Sequence, residues 1–118
     1  CPVSAKIARV EFDFGWVAEP VVDEEYKTPY YRMYVLFADR VSGKQLTYYS
    51  CHPDDIVDAA FTAWAELIQQ YGRPQTLYLS RPAAVGLFQD FADKLSVKVK
   101  NVKRLPAIQR LFRQNGII

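Results

Sequence analysis

The sequence holds a single histidine, two cysteines and, beyond Asp93, no acidic residue at all. Each scarcity excludes something. Cys1 and Cys51 make neither a metal-ligand spacing nor a disulfide framework, so a reducing, cytoplasmic setting is the expectation. His52 stands beside Cys51, but adjacent residues of an extended segment point apart, which argues against a nucleophile and base pair. Ahead of Pro53-Asp54-Asp55, its expected role is in the start of a helix. No apolar run approaches the ~20 residues of a membrane-spanning helix, and no signal peptide is visible. Internal repeats, low-complexity tracts and linkers are missing too. The first residues are Cys1-Pro2 and not Met, which predicts a processed product or a domain excised from a longer chain.

What is present describes one globular domain over residues 1–118. Half the residues are apolar and 14% are aromatic, enough for a core without metal or disulfide staples. The net charge of +2 names no partner, but its distribution is uneven. Six acids and no base lie between Glu11 and Glu25, whereas seven bases and no acid run from Lys94 to the end. Such asymmetry marks either an interaction surface or a solvated basic face.

Tyr30 to Cys51 organises the chain. Two apolar runs, Met33–Val35–Phe37 and Leu46–Tyr48, flank a turn containing Gly43, which predicts a β-hairpin closed by a left-handed glycine. Before it, Ile7 to Val17 alternates, with Val10, Phe12, Phe14 and Trp16 on a buried side and Glu11 and Asp13 opposite. Glu19 to Pro29, with a proline near each end and an acidic middle, is expected to be a surface loop. After the hairpin, Ile56, Ala60, Ala63, Trp64, Leu67, Ile68 and Tyr71 recur at helical spacing, ended by Gly72 and Pro74. Thr76–Leu79 reads as a covered interior strand. A helix from Ser80-Arg81-Pro82, a strand over 97–102 and a helix opened by Leu105-Pro106 follow, the last capped by Asn115-Gly116. The order β-β-β-α-β-α-β-α, with right-handed crossovers, predicts a five-stranded mixed sheet with helices on its faces, an α/β fold. Phe12, Phe14, Val35, Phe37, Ile68, Leu77, Leu79, Phe88 and Leu95 are the expected core.

Several side chains invite a chemical role and have a simpler one. Glu11 and Asp13 should face solvent or pair with bases. Asp39 should bond to amides of the hairpin turn, Asp54, Asp55 and Asp58 should complement a helix dipole, and Ser80 should cap a helix. Lys98, Lys100, Lys103, Arg104, Arg110 and Arg113 remain as a candidate surface for nucleic acid or another acidic partner. Lysines on an outer strand also guard that edge against pairing.

The run LFADRVSGKQLTYYS, then a helix, then Tyr71-Gly72-Arg73-Pro74-Gln75 before a strand, resembles the catalytic core of retroviral-type integrases and transposases, members of the ribonuclease H-like fold. The stretch from the hairpin through GRPQTLYLS, FADKLSVKVK and RLPAI also resembles a bacterial domain family of unknown function. The integrase resemblance implies an acid on the first strand, one at the end of the fourth and one on a later helix, together holding divalent metal. Asp13 or Glu11 fits the first position. Ser80 stands at the second, and no carboxylate follows Asp93 to supply the third. No metal site and no cofactor are therefore expected, with Asp13 the lone candidate ligand. The first functional reading is a non-catalytic ribonuclease H-like module for protein interaction or assembly, bound to other domains of its parent chain or to a protein partner. The alternative is a nucleic-acid-binding domain using the basic C-terminal third, and the remaining reading is a metal-dependent nuclease with an atypical site. A membrane partner is not expected.

Overall fold

A computed structural model of the chain describes residues 8–23 and 26–115. Strands β1 (Arg9–Asp23), β2 (Tyr26–Asp39) and β3 (Gln45–Cys51) lead through a 3-10 turn at Pro53–Asp55 into helix α1 (Ile56–Tyr71). Strand β4 (Thr76–Leu79), helix α2 (Pro82–Lys94), strand β5 (Lys98–Asn101) and helix α3 (Pro106–Asn115) complete the expected order. The sheet order is β3-β2-β1-β4-β5. The first three strands pair antiparallel, and β4 lies parallel to both β1 and β5. The earliest strand is thus the centre of the sheet.

The β2–β3 turn closes as its residues dictate. Asp39 accepts from Val41 N at 3.1 Å and from the Ser42 hydroxyl at 2.7 Å, while Gly43 takes φ 79°. Residues 19–23 and 26–29, expected as part of a loop, instead extend β1 and β2. Pro20 pairs with Tyr31, Val21 with Tyr30 and Asp23 with Tyr26. Register shifts after Trp16 and after Val21 absorb the irregularity, and the ladder between β1 and β4 stops at Glu11. A proline is tolerated beside a bulge and beyond the sheet interior, where no neighbour needs its N–H. The connection at 24–25, Ile7 and the expected Gly116 cap lie outside the described residues.

Right-handed crossovers place α1 and α2 on one face of the sheet. There Phe12, Phe37 and Phe88 meet with ring centroids 4.7, 4.7 and 5.9 Å apart, and Trp64 packs against them. Val10, Val35, Leu77 and Leu79 complete this core. Phe14, Ile68 and Leu95 are only partly buried at its border, and Trp16, expected on the buried side, is 62% exposed. Both β1 residues stand past the point where β4 flanks the strand.

The opposite face is covered as well. Helix α3 lays Ala107, Ile108 and Phe112 over Tyr34, Leu36, Ala38 and Tyr78, forming a second core. Of the two expectations for Glu11, facing solvent is overturned, since it is fully buried, and pairing with a base is realised. The reason is local to α3. Its cap position is Leu105, whose side chain accepts nothing, and Pro106 has no N–H to satisfy. The next two amides, Ala107 N and Ile108 N, donate to Glu11 at 3.3 and 3.1 Å. A carboxylate on β1 therefore caps a helix 97 residues away. Arg40 joins it at 3.3 Å. Burial raises the Glu11 pKa, with the Ile108 and Ala107 amides and then Arg40 pulling the other way. Among the described residues, no helix is long and apolar enough to cross a membrane.

Candidate functional site

Two residues past Glu11, on the same side of β1, Asp13 looks into a cleft of about 330 Å³. The cleft opens where β4 ends, between the Ser80–Arg81 step into α2 and the flank of α3 that carries Ile108, Gln109 and Phe112. Pro82 at the first helical position puts the helix cap at Arg81, whose carbonyl accepts from Ala84 N and Val85 N. Ser80 is therefore not the cap expected of it and instead lines the cleft.

The charge of Asp13 is already engaged. Arg81 Nε donates to Oδ1 at 2.9 Å and the Tyr34 hydroxyl donates to Oδ2 at 3.1 Å. Of the two expectations for this carboxylate, pairing with a base is the one realised. Burial and then the neighbouring Asp13 push the Tyr34 phenol well above its usual range, so it remains a donor at neutral pH. Its ring meets Phe112 edge-on at 5.1 Å and lies parallel to Tyr48 at 6.5 Å. Gly15 makes room for it, since a Cβ there would fall 3.1 Å from the Tyr34 ring and hydroxyl. Ile108 and Phe112 form an apolar floor, and Lys103, Gln109 and Trp16 bring two polar groups and an exposed ring to the rim.

The six candidate bases are all exposed but do not form one patch. Lys98 and Lys100 pair with Thr76 and Tyr78 on the half of the α3 face that α3 leaves open. The Lys100 ammonium lies 5.9 Å from the Tyr78 ring centroid, and the Arg40 guanidinium stacks on the same ring at 4.1 Å. Arg9 pairs with Thr76 and so joins this row. Lys103 belongs to the cleft, and Arg110 reaches the hairpin beside Gly43, while Arg104 and Arg113 stand elsewhere on the exposed surface. Arg9, Arg40, Arg81 and Trp16 carry no local signal. Each acquires its place only through pairing or a contact distant in sequence.

The remaining candidates have structural roles. His52 Nδ1 accepts from Asp54 N at 3.1 Å, which fastens the 3-10 turn. Burial raises the Cys51 thiol pKa, the reverse of nucleophile activation. Asp54, Asp55 and Asp58 are exposed in the first turns before and within α1. Among the described residues no three His, Cys, Asp or Glu side chains are grouped to hold a metal ion.

Comparison with solved structures finds the same architecture in enzymes of DNA integration. The HTLV-2 integrase catalytic core domain in complex with magnesium, in its trimeric form, superposes with a TM-score of 0.63 at 17% identity, over 98% of this chain and 69% of that one. Its dimeric form gives 0.63 at 19% identity, over 98% and 70%. The Mos1 transposase paired-end complex with the left transposon end gives 0.62 at 12% identity, over 93% and 41%. The fold is therefore that of integrase and transposase cores, ribonuclease H-like, as the sequence resemblance implied. No curated protein matches the sequence. The sequence model of a family described as a domain of unknown function, DUF6930, matches residues 3–114. Asp13, Ser80 and Gln109 of α3 do line one cleft, but as a donor set they do not fit magnesium. Two are neutral, and the one carboxylate is bonded to a guanidinium that would repel the ion.

Proposed function

This chain belongs to the DUF6930 family of domains of unknown function, and from that premise we propose a non-catalytic ribonuclease H-like module that binds nucleic acid without cutting it. The observation that carries its non-catalytic half is the Arg81–Asp13 pair at 2.9 Å, a cation bonded to the one carboxylate that lines the cleft among the described residues. Two-metal phosphodiester cleavage uses converging carboxylates to hold its ions. An arginine at that place repels the metal. Binding draws support from the open half of the α3 face, where Arg40 and Lys100 lie over the Tyr78 ring and Arg9 and Lys98 flank Thr76 on the same side. A row of bases about an aromatic ring suits a phosphate backbone. A cytoplasmic setting is part of the same proposal.

Labelled single- and double-stranded DNA and RNA, titrated at ~50 mM salt, should bind with an affinity that falls steeply as salt rises. Changing Arg9, Lys98 and Lys100 together to Glu should abolish that binding. No binding to any of the four ligands would end the nucleic-acid reading. Incubation with plasmid and single strands in Mg²⁺ or Mn²⁺ should leave both intact. Cleavage that disappears in Asp13→Ala would overturn the non-catalytic reading.

A second reading, protein interaction or assembly within a parent chain, has its own observation. An apolar groove of about 170 Å³ runs between α1 and α2, lined by Phe14, Val57, Ala60, Ala83 and Leu87, with Val57 46% exposed. A partner seated there should be lost on Val57→Asp while nucleic-acid affinity is kept.

A further inference from the structure

Trp16 is 62% exposed at the wall of the Asp13 cleft. A large aromatic group left in water beside an apolar floor is uncovered surface that a flat ring can bury. Opposite in character, Arg81 has five N–H donors and gives only Nε to Asp13. Its two terminal nitrogens have no hydrogen-bond acceptor among the described residues, and its side chain is 52% exposed. The Asp13 bond also fixes the direction of the guanidinium, which Tyr34 secures from the other side of the carboxylate. A guanidinium held in place is a fork for a carboxylate or phosphate and has little side-chain entropy left to lose on binding. Lys103 adds a second cation. Among the described lining residues, with Arg81 and Asp13 compensating one another, it leaves one net positive charge. The volume of about 330 Å³ lies at the small end of ligand pockets.

We infer that this cleft is a binding site for a small planar aromatic molecule bearing one anionic group, its ring against Trp16 and its anion on Arg81 and Lys103. In this arrangement Asp13 is a positioning residue. It holds the arginine that receives the ligand and touches no ligand atom itself. The site is separate from the nucleic-acid surface proposed above, because Arg9, Lys98 and Lys100 do not line it.

Calorimetric titration of the purified domain tests this with four probes. AMP carries ring and phosphate, 1-naphthoate carries ring and carboxylate, adenosine is a ring alone, and inorganic phosphate an anion alone. AMP or 1-naphthoate should bind saturably with Kd below ~1 mM, and the tighter of the two identifies the phosphate or the carboxylate as the preferred group. Adenosine and phosphate should each bind at least about tenfold more weakly than it. Arg81→Gln and the surface change Trp16→Ala should each lose about tenfold or more, with the fold checked by circular dichroism. Lys98→Glu with Lys100→Glu should retain the affinity, whatever becomes of nucleic-acid binding. The inference is overturned if neither AMP nor 1-naphthoate binds below ~1 mM. Unchanged affinity in folded Trp16→Ala would overturn it as well, as would adenosine binding as tightly as AMP.

Discussion

Replacing Glu11 by alanine removes the acceptor for two buried amides, Ala107 N and Ile108 N, at the head of α3. Each unsatisfied buried donor costs about 1–3 kcal/mol. Against that stands relief from desolvating a carboxylate that is fully buried. Arg40, whose side chain is 27% exposed, can regain water once its partner is gone. The balance is a loss of about 2–4 kcal/mol, read from urea denaturation midpoints. Hydrogen exchange should show the loss concentrated in α3. A loss below ~1 kcal/mol would refute the capping role. The same residue gives a pH signature of defined sign. Its folded pKa is raised above the usual 4.5, so within that window the folded protein keeps a proton that the unfolded chain releases. Stability contributed by Glu11 therefore falls as pH rises above 4.5 toward the raised value. E11Q has no such ionisation, so the wild type should lose ground to E11Q between acid and neutral pH. Wild type gaining ground instead would mean that the amides and Arg40 outweigh burial.

Leu77→Ala empties a fully buried place at the centre of β4 and should cost about 2–5 kcal/mol in urea melts; a loss under ~1 kcal/mol would contradict an interior strand. Gly15→Ala drives a methyl to 3.1 Å from Tyr34, so a destabilisation of about 1–3 kcal/mol is expected, with a shift in tyrosine absorbance. Gly86→Ala has nothing within 4 Å of its new Cβ and lies inside α2, so it should stabilise by about 0.4–1 kcal/mol. A destabilising result would mean α2 has another surface against it.

The parts of this fold legible from sequence were those whose cause is local. The Asp39–Gly43 turn, the Gly72 end of α1 and the apolar β4 each carry their reason within a few residues. Alternation along β1 misled at Glu11, because period-two patterning looks the same whether the polar side meets water or a single buried acid meets a helix end. The helix opened by Leu105-Pro106 was legible, but nothing in its sequence named the surface it would cover. Prolines at 20 and 29 signalled a loop where bulges let a strand continue. At the site, Asp13 was readable as a polar residue on a strand. Its partner Arg81 lies 68 residues away and looked like the filler between a serine and a proline.

The carboxylate of Glu11 also sets an order of events on the ribosome. Within this domain strand β1 emerges before every other element, yet the amides that Glu11 needs belong to residues 107 and 108. Its parallel neighbour β4 arrives only after residue 76. While this domain is being made, its middle strand has one antiparallel companion, one bare edge and an ionisable group still in water. The β1–β2–β3 meander can form early, but the second core closes in a single late step when α3 clears the exit tunnel. A nascent chain arrested before residue 106 should therefore remain sensitive to protease along the face that α3 later covers, and become resistant within the next few residues exposed.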